Sequence, residues 1–219
     1  MIKESYFSIK DKLPEDVELI AVSKTKPAEQ IQILYDLGQR KFGENKVQEL
    51  VDKYEVLPKD IEWHLIGHLQ TNKVKFIAPF VSLIHAVDSL KLLKEINKEA
   101  KKNNRIIECL LQFHIANEAT KFGFSFEEAQ ELLESNDFIT MENISIVGVM
   151  GMATFTENQA QVRDEFRTLN NYFAVLKSHY FKFNHHFKVI SMGMSGDFNI
   201  AIEQGSNMVR IGSSIFGNR

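Results

Sequence analysis

Eight times along the chain a short, mostly apolar run is followed by a stretch with helical spacing or helix-capping residues. The runs cover residues 19–22, 41–45, 61–66, 83–87, 106–115, 144–150, 188–192 and 208–211. Short apolar runs of this kind suit strands covered on both faces. Eight strand-then-helix units in sequence predict α/β architecture closed into a parallel (β/α)8 TIM barrel rather than an open sheet. At 219 residues the chain is near the short end for such a barrel. No linker, low-complexity tract or shift of composition divides it, so one domain is expected over 1–219.

The helices have local signals of their own. Ile31, Leu34 and Leu37 share a face over 28–37, and Gly38 is a natural stop. Thr25 reads as the cap of that helix, with Pro27 in its first turn. Further helices are expected over 47–56, closed by Pro58, over 71–77, and to 102 after Asp88-Ser89 as a cap. Ser125 and Glu128 have the spacing of a capping box for a helix ending near Glu134. A long helix is expected over 158–180, a short one through Glu203, and an opening helix over 5–12.

Composition bears on the partners and the compartment. A formal net charge of -3 gives no footing for nucleic acid. The one cysteine, Cys109, lies in an apolar stretch, which suits core packing in a reducing compartment and excludes a cysteine-built metal site. Residues 1–14 carry charges throughout, unlike a secretory signal, and apolar segments such as 144–155 are too short to span a membrane. A cytoplasmic location is expected. His185-His186, if on a strand, would point to opposite faces and could not chelate together, so no metal is expected.

The chemistry concentrates at the predicted C-terminal strand ends. Ile20, Val22 and Lys24 share parity on the first strand, so the Lys24 amine ends a row of core-pointing side chains. A lysine there is partly desolvated and usable as a nucleophile, although most lysines simply bend out to solvent. In barrels of this type phosphate commonly binds at the loops after strands seven and eight. Those loops here are Gly193-Met194-Ser195-Gly196 and Gly212-Ser213-Ser214, with hydroxyls and backbone amides placed before helices. Arg210 interrupts the last apolar run and needs a partner, either a structural ion pair or a ligand. It shares parity with Gly212. Pyridoxal phosphate meets all three demands: Lys24 makes the Schiff base, the two loops hold the phosphate, and Arg210 meets the ring nitrogen. A barrel that binds a phosphosugar without any cofactor also fits the phosphate loops.

The motifs AVSKTKP (21–27), FGEN (42–45), WHLIGHLQTNK (63–73), KFG (121–123), MGMSGD (192–197) and VRIGSSIFG (209–217) occur in one order. Together they resemble the YggS/PROSC family of pyridoxal phosphate homeostasis proteins, which is related to the N-terminal barrel of bacterial alanine racemase. The resemblance runs from about Leu19 to Gly217. It implies that Lys24 binds the cofactor, that Asn45 lies beside the ring and that Arg210 faces the pyridine nitrogen. It also implies that Ser195, Gly212 and Ser213 bind the phosphate, with Lys26 and Lys121 as further lysines near the site. Ser213 stands where many relatives have threonine, which keeps the hydroxyl. His114 stands where relatives often have asparagine, a departure in the loop after strand five.

An arginine opposite the pyridine nitrogen disfavours ring protonation and makes the ring a poorer electron sink. A racemase of that kind needs a base on each face of the substrate carbon. Lys24 could serve one face. In the resembling racemases the other base is a tyrosine from a second domain of the partner subunit. Here Tyr6, Tyr35, Tyr54, Tyr172 and Tyr180 are all expected on helices. The expectation is therefore a monomeric carrier without catalytic residues, holding pyridoxal phosphate covalently on Lys24 and passing it to apo-enzymes that depend on it. The alternative is a racemase of low activity, with His64 and His85 as candidate bases, although both also suit packed barrel histidines.

Overall fold

A computed structural model describes residues 2–116 and 122–217. The chain opens with helix α1 (Ile2–Lys10) and then alternates strand and helix: β1 (Glu18–Val22), α2 (Ala28–Asp36), β2 (Lys41–Glu44), α3 (Val47–Val56), β3 (Glu62–Leu65), α4 (Val74–Ile77) and β4 (Leu83–Val87). It continues through α5 (Leu90–Lys102), β5 (Ile107–Gln112), α6 (Phe126–Glu134), α7 (Asn136–Ile139), β6 (Ile144–Met150) and α8 (Gln159–His179). Last come β7 (Val189–Ser191), α9 (Phe198–Glu203), β8 (Met208–Ile211) and α10 (Ser213–Phe216). All eight strands are parallel, each pairs with its neighbours in sequence, and β8 returns to β1 to close the barrel. The expected architecture is borne out.

Strand parity sorts the side chains into two cores. Leu19 and Ala21 pack outward against the helices, within a shell that includes Trp63, Leu65, Ile84, Cys109 and Val149. Ile20, Leu83, Ala86, Leu110, Val147, Met150 and Met208 fill the barrel interior. Burying such side chains on both faces of each strand is the main source of stability for this fold. Arg210 pairs in register with Ile20 and is buried, so its charge lies on the inward face. No described helix is long and apolar enough to cross a membrane.

Strands β4, β6 and β8 run over the residues expected, and Ser125 and Glu128 form the capping box. Strand β5 is shorter than expected. Its N-terminal neighbour Ile106 is exposed, and beyond Gln112 the backbone of Phe113 bridges to Phe124 instead of extending the ladder. Thr25 is not a helix cap: Pro27 occupies the cap of α2 with no side-chain bond, and Thr25 sits at φ 63° in a turn. Residues 71–77 divide into a 3-10 turn (Thr71–Lys73) and the single turn of α4. The opening helix starts earlier than expected, at Ile2, and packs against α10. Tyr180 caps α8 from just beyond its end, whereas the other tyrosines lie within helices. His185 and His186 occupy a turn, not a strand.

Candidate functional site

At the C-terminal end of the strands the barrel opens into a cavity of about 550 Å³. Lys24, Asn45, Ser195, Arg210, Gly212 and Ser213 all line it. The turns after β7 and β8 therefore lie on the same side of the molecule as the Lys24 amine, which stands in the turn just beyond β1. Val22 lines the cavity too, so the parity that places Ile20 inside carries on to a half-buried Lys24 at the rim. Apolar groups from the β5 and β6 ends, Phe122, Met152, Ala153 and Phe155, form much of the remaining wall.

The two glycine-rich turns touch. Ser195 Oγ accepts from the amides of Gly212 (3.4 Å) and Ser214 (3.3 Å). Gly193, at φ 96°, makes the reversal that starts the first of these turns, a conformation costly to a residue with a side chain. The turn is closed by Asp197, whose Oδ1 accepts from the Met194 amide (2.6 Å), and burial raises the Asp197 carboxyl above its usual range. Gly212 is needed for close approach: a Cβ there would stand 2.9 Å from the carbonyl oxygen of Val22. Any side chain would push the Ser213 turn away from the end of β1, which leads into Lys24.

Arg210 is held by neutral oxygens. Its Nη1 donates to Ser191 O (2.8 Å) and Ser191 Oγ (2.6 Å), and its Nη2 donates to Gly151 O (3.0 Å). Burial lowers its guanidinium to about 10, with Asp197 partly offsetting the shift, so it stays charged at neutral pH. The arginine is thus a fixed cation on the cavity floor.

Behind the lysine lies a cluster that sequence reasoning missed. Ser23 Oγ donates to Glu44 Oε1 (2.6 Å), and Lys53 Nζ donates to that same oxygen (2.6 Å), to Ser23 O (2.7 Å) and to Glu49 Oε1 (2.7 Å). The Thr25 amide also donates to Glu49 Oε1. These bonds tie the residues on either side of Lys24 to the end of β2, next to Asn45. Glu44 Oε2 is buried with no hydrogen-bond partner among the described residues, and burial pushes the Glu44 carboxyl up to about 7 despite the adjacent lysine. The Glu49–Lys53 spacing was legible as a helical pair. Its long-range partner Glu44 gave no local signal.

Other expected residues fall elsewhere. Lys26 Nζ donates to the carbonyls of Phe216 (3.4 Å) and Gly217 (3.1 Å), steadying the chain after α10. Lys121 lies outside the described residues. His64 and His85 do not line this cavity: both are buried in the barrel, where desolvation lowers His64 to about 3 and holds His85 well below the imidazole range. They are packed, hydrogen-bonded histidines and not bases at the mouth. The imidazole that does line the cavity is His68, with Nδ1 3.0 Å from Asp88 Oδ2 and its ring against Phe122. Its place in a loop just after β3 hid it from a search of strand ends. Among the described residues no three His, Cys, Asp or Glu side chains are grouped to hold a metal.

A cation, an amine, paired hydroxyls and backbone amides around one cavity suit an anionic molecule with an electrophilic carbon. Comparison with known proteins agrees with that chemistry. The family model described as the alanine racemase N-terminal domain matches residues 2–219. A pyridoxal phosphate homeostasis protein of Aquifex aeolicus is 42% identical over 203 residues, 92% of this chain and 87% of its own length. The structure of PipY from Synechococcus elongatus with PLP bound has a TM-score of 0.89 and 32% identity, covering 99% of this chain and 100% of that one. Alanine racemase of Clostridium difficile is similar in fold, with a TM-score of 0.78 at 16% identity over 100% of this chain and 56% of its own.

Proposed function

Since the chain belongs to the alanine racemase N-terminal domain family and is similar throughout to pyridoxal phosphate homeostasis proteins, we propose that it binds pyridoxal phosphate at the barrel mouth as a carrier. One observation carries the reading: Lys24, Arg210 and both glycine-rich turns line a single cavity. When bound, pyridoxal phosphate supplies an aldehyde that condenses reversibly with an amine, expelling one water, and a pyridine ring that can draw electrons. Lys24 Nζ is the amine in this reading and holds the cargo as a Schiff base. Ser195 and Ser213 offer hydroxyls and Gly212 a backbone amide to the phosphate, while Asn45 flanks the ring. Arg210 presents a cation toward the pyridine nitrogen, which keeps that nitrogen unprotonated and restrains carbanion chemistry.

The residue set supports carriage over turnover. No tyrosine is among the described residues that line the cavity, and His64 and His85 are buried away from the mouth. Release by hydrolysis would hand the aldehyde to apo-enzymes that need it. His68, oriented by Asp88, favours a second reading, a slow amino-acid racemase with His68 and Lys24 as its bases. Incubation with pyridoxal phosphate, borohydride reduction and peptide mass mapping test the first reading. The expected result is a yellow protein with the adduct on Lys24, and no alanine racemisation. A colourless, unmodified protein would return the phosphosugar reading. Exchange of the alanine α-proton, lost in His68→Asn, would establish the racemase.

A further inference from the structure

A line of hydrogen bonds runs through the barrel interior beneath Arg210. His64 Nδ1 lies 2.9 Å from His85 Nε2, and His85 Nδ1 lies 3.0 Å from Ser191 Oγ, the atom that accepts from Arg210 Nη1 at 2.6 Å. The line links β3, β4, β7 and β8, and all four side chains are buried. Its proton positions follow from the inventory of donors. Arg210 can only donate, so Ser191 Oγ accepts from it. The buried Ser191 hydroxyl then needs an acceptor, and His85 Nδ1 is the one in reach. His85 therefore carries its proton on Nε2 and donates to His64 Nδ1. That leaves the His64 proton on Nε2; His64 is also part of the wall of a second cavity, at the opposite end of the barrel.

We infer that His85, backed by His64, is a positioning residue for Arg210: it takes the Ser191 hydroxyl proton and so turns the Ser191 lone pairs toward the guanidinium. The inference rests on the proposed function only for what Arg210 faces. Without an acceptor at His85, Ser191 is free to turn its hydroxyl proton toward Arg210, and the cation loses one of its three contacts. Both imidazoles must stay neutral for the line to hold. Burial favours this for both rings, and the charges of Lys41 near His64 and of Arg210 near His85 add to it.

Nitrogen NMR of the histidine side chains in the ligand-free protein tests the inference directly. Both His64 and His85 should appear as neutral Nε2–H tautomers across about pH 5 to pH 8. A proton on His85 Nδ1, or an ordinary imidazole titration, overturns it. Pyridoxal phosphate titrations of variants then read the consequence. His85→Leu should weaken binding about tenfold, the size of one lost bond to a charged group, and change the absorbance of the bound aldehyde. His85→Asn keeps an acceptor near the Nδ1 position and should restore both. Unchanged binding in His85→Leu, or no rescue in His85→Asn, contradicts the inference. If the wild-type protein takes up no pyridoxal phosphate, the functional reading fails alone. The Arg210 side-chain nitrogen signals of wild type and His85→Asn then decide the positioning role, with matching signals expected and divergent ones against it. Should His85→Leu not fold, the wild-type tautomers decide.

Discussion

The two ends of the barrel use polar residues in opposite ways. At the N-terminal end a cavity of about 400 Å³ is lined by Asp16, Glu18, Glu62 and Glu108 together with Lys41 and Lys188. Its charges mix, and some neutralise one another at the surface, as in the 2.5 Å pair of Lys41 with Glu18, both partly exposed. At the C-terminal mouth the cation Arg210 is buried against neutral oxygens, and the hydroxyls and amides of two turns converge on a half-buried lysine. Charges satisfied by each other stabilise a surface weakly and have little left to offer a ligand. Charges and donors held by the backbone, with an open cavity in front of them, are prepared for a molecule from outside.

Mutations sharpen that contrast, beginning with the largest effect. Lys24→Ala should abolish the reducible pyridoxal phosphate adduct, whereas Lys41→Ala and Lys188→Ala at the other end should leave it intact; peptide mapping after borohydride reads both. Next, Gly212→Ala should weaken binding by about tenfold or more, because its Cβ would crowd the Val22 carbonyl and open the phosphate turns. Ser195→Ala should lower affinity for pyridoxal phosphate more than for unphosphorylated pyridoxal, measured by parallel absorbance titrations. An equal loss for both would place the phosphate elsewhere.

A smaller effect comes from the buried cluster behind Lys24. The Glu44 carboxyl is raised to about 7 from the ordinary 4.5, so the folded state binds its proton more tightly than the unfolded chain does. The contribution of Glu44 is therefore stabilising at low pH and is lost as pH rises through about 7, by about 3 kcal/mol in full. Melting temperatures between about pH 5 and pH 8 should fall for the wild type and flatten in Glu44→Gln. Identical slopes in the two proteins would show that Glu44 is not the group responsible. The smallest effect belongs to the far end, where Lys41→Ala should cost about 1 kcal/mol or less in denaturant unfolding.

The barrel was legible because local signals agreed with the global fold: β4, β6 and β8 are bounded apolar runs, and Ser125 and Glu128 close a helix start on themselves. The site was legible where strand parity and loop position determine direction, as for Lys24, Arg210 and Gly212. It was not legible where partners meet across the barrel. Glu44 and Lys53 come together only when α3 folds back over β2, and His64, His85 and Ser191 belong to three separate strands. Thr25 misled for a related reason. It has the composition of a cap, yet its amide is claimed by Glu49, which holds the turn in place for its neighbour Lys24.

A crystal structure grown with pyridoxal phosphate tests the central claim most directly. Density continuous with Lys24 Nζ, with the phosphate against Ser195, Gly212 and Ser213 and the ring nitrogen toward Arg210, is the predicted result. Density attached to Lys26 or Lys121, or lodged in the cavity at the N-terminal end, would contradict it.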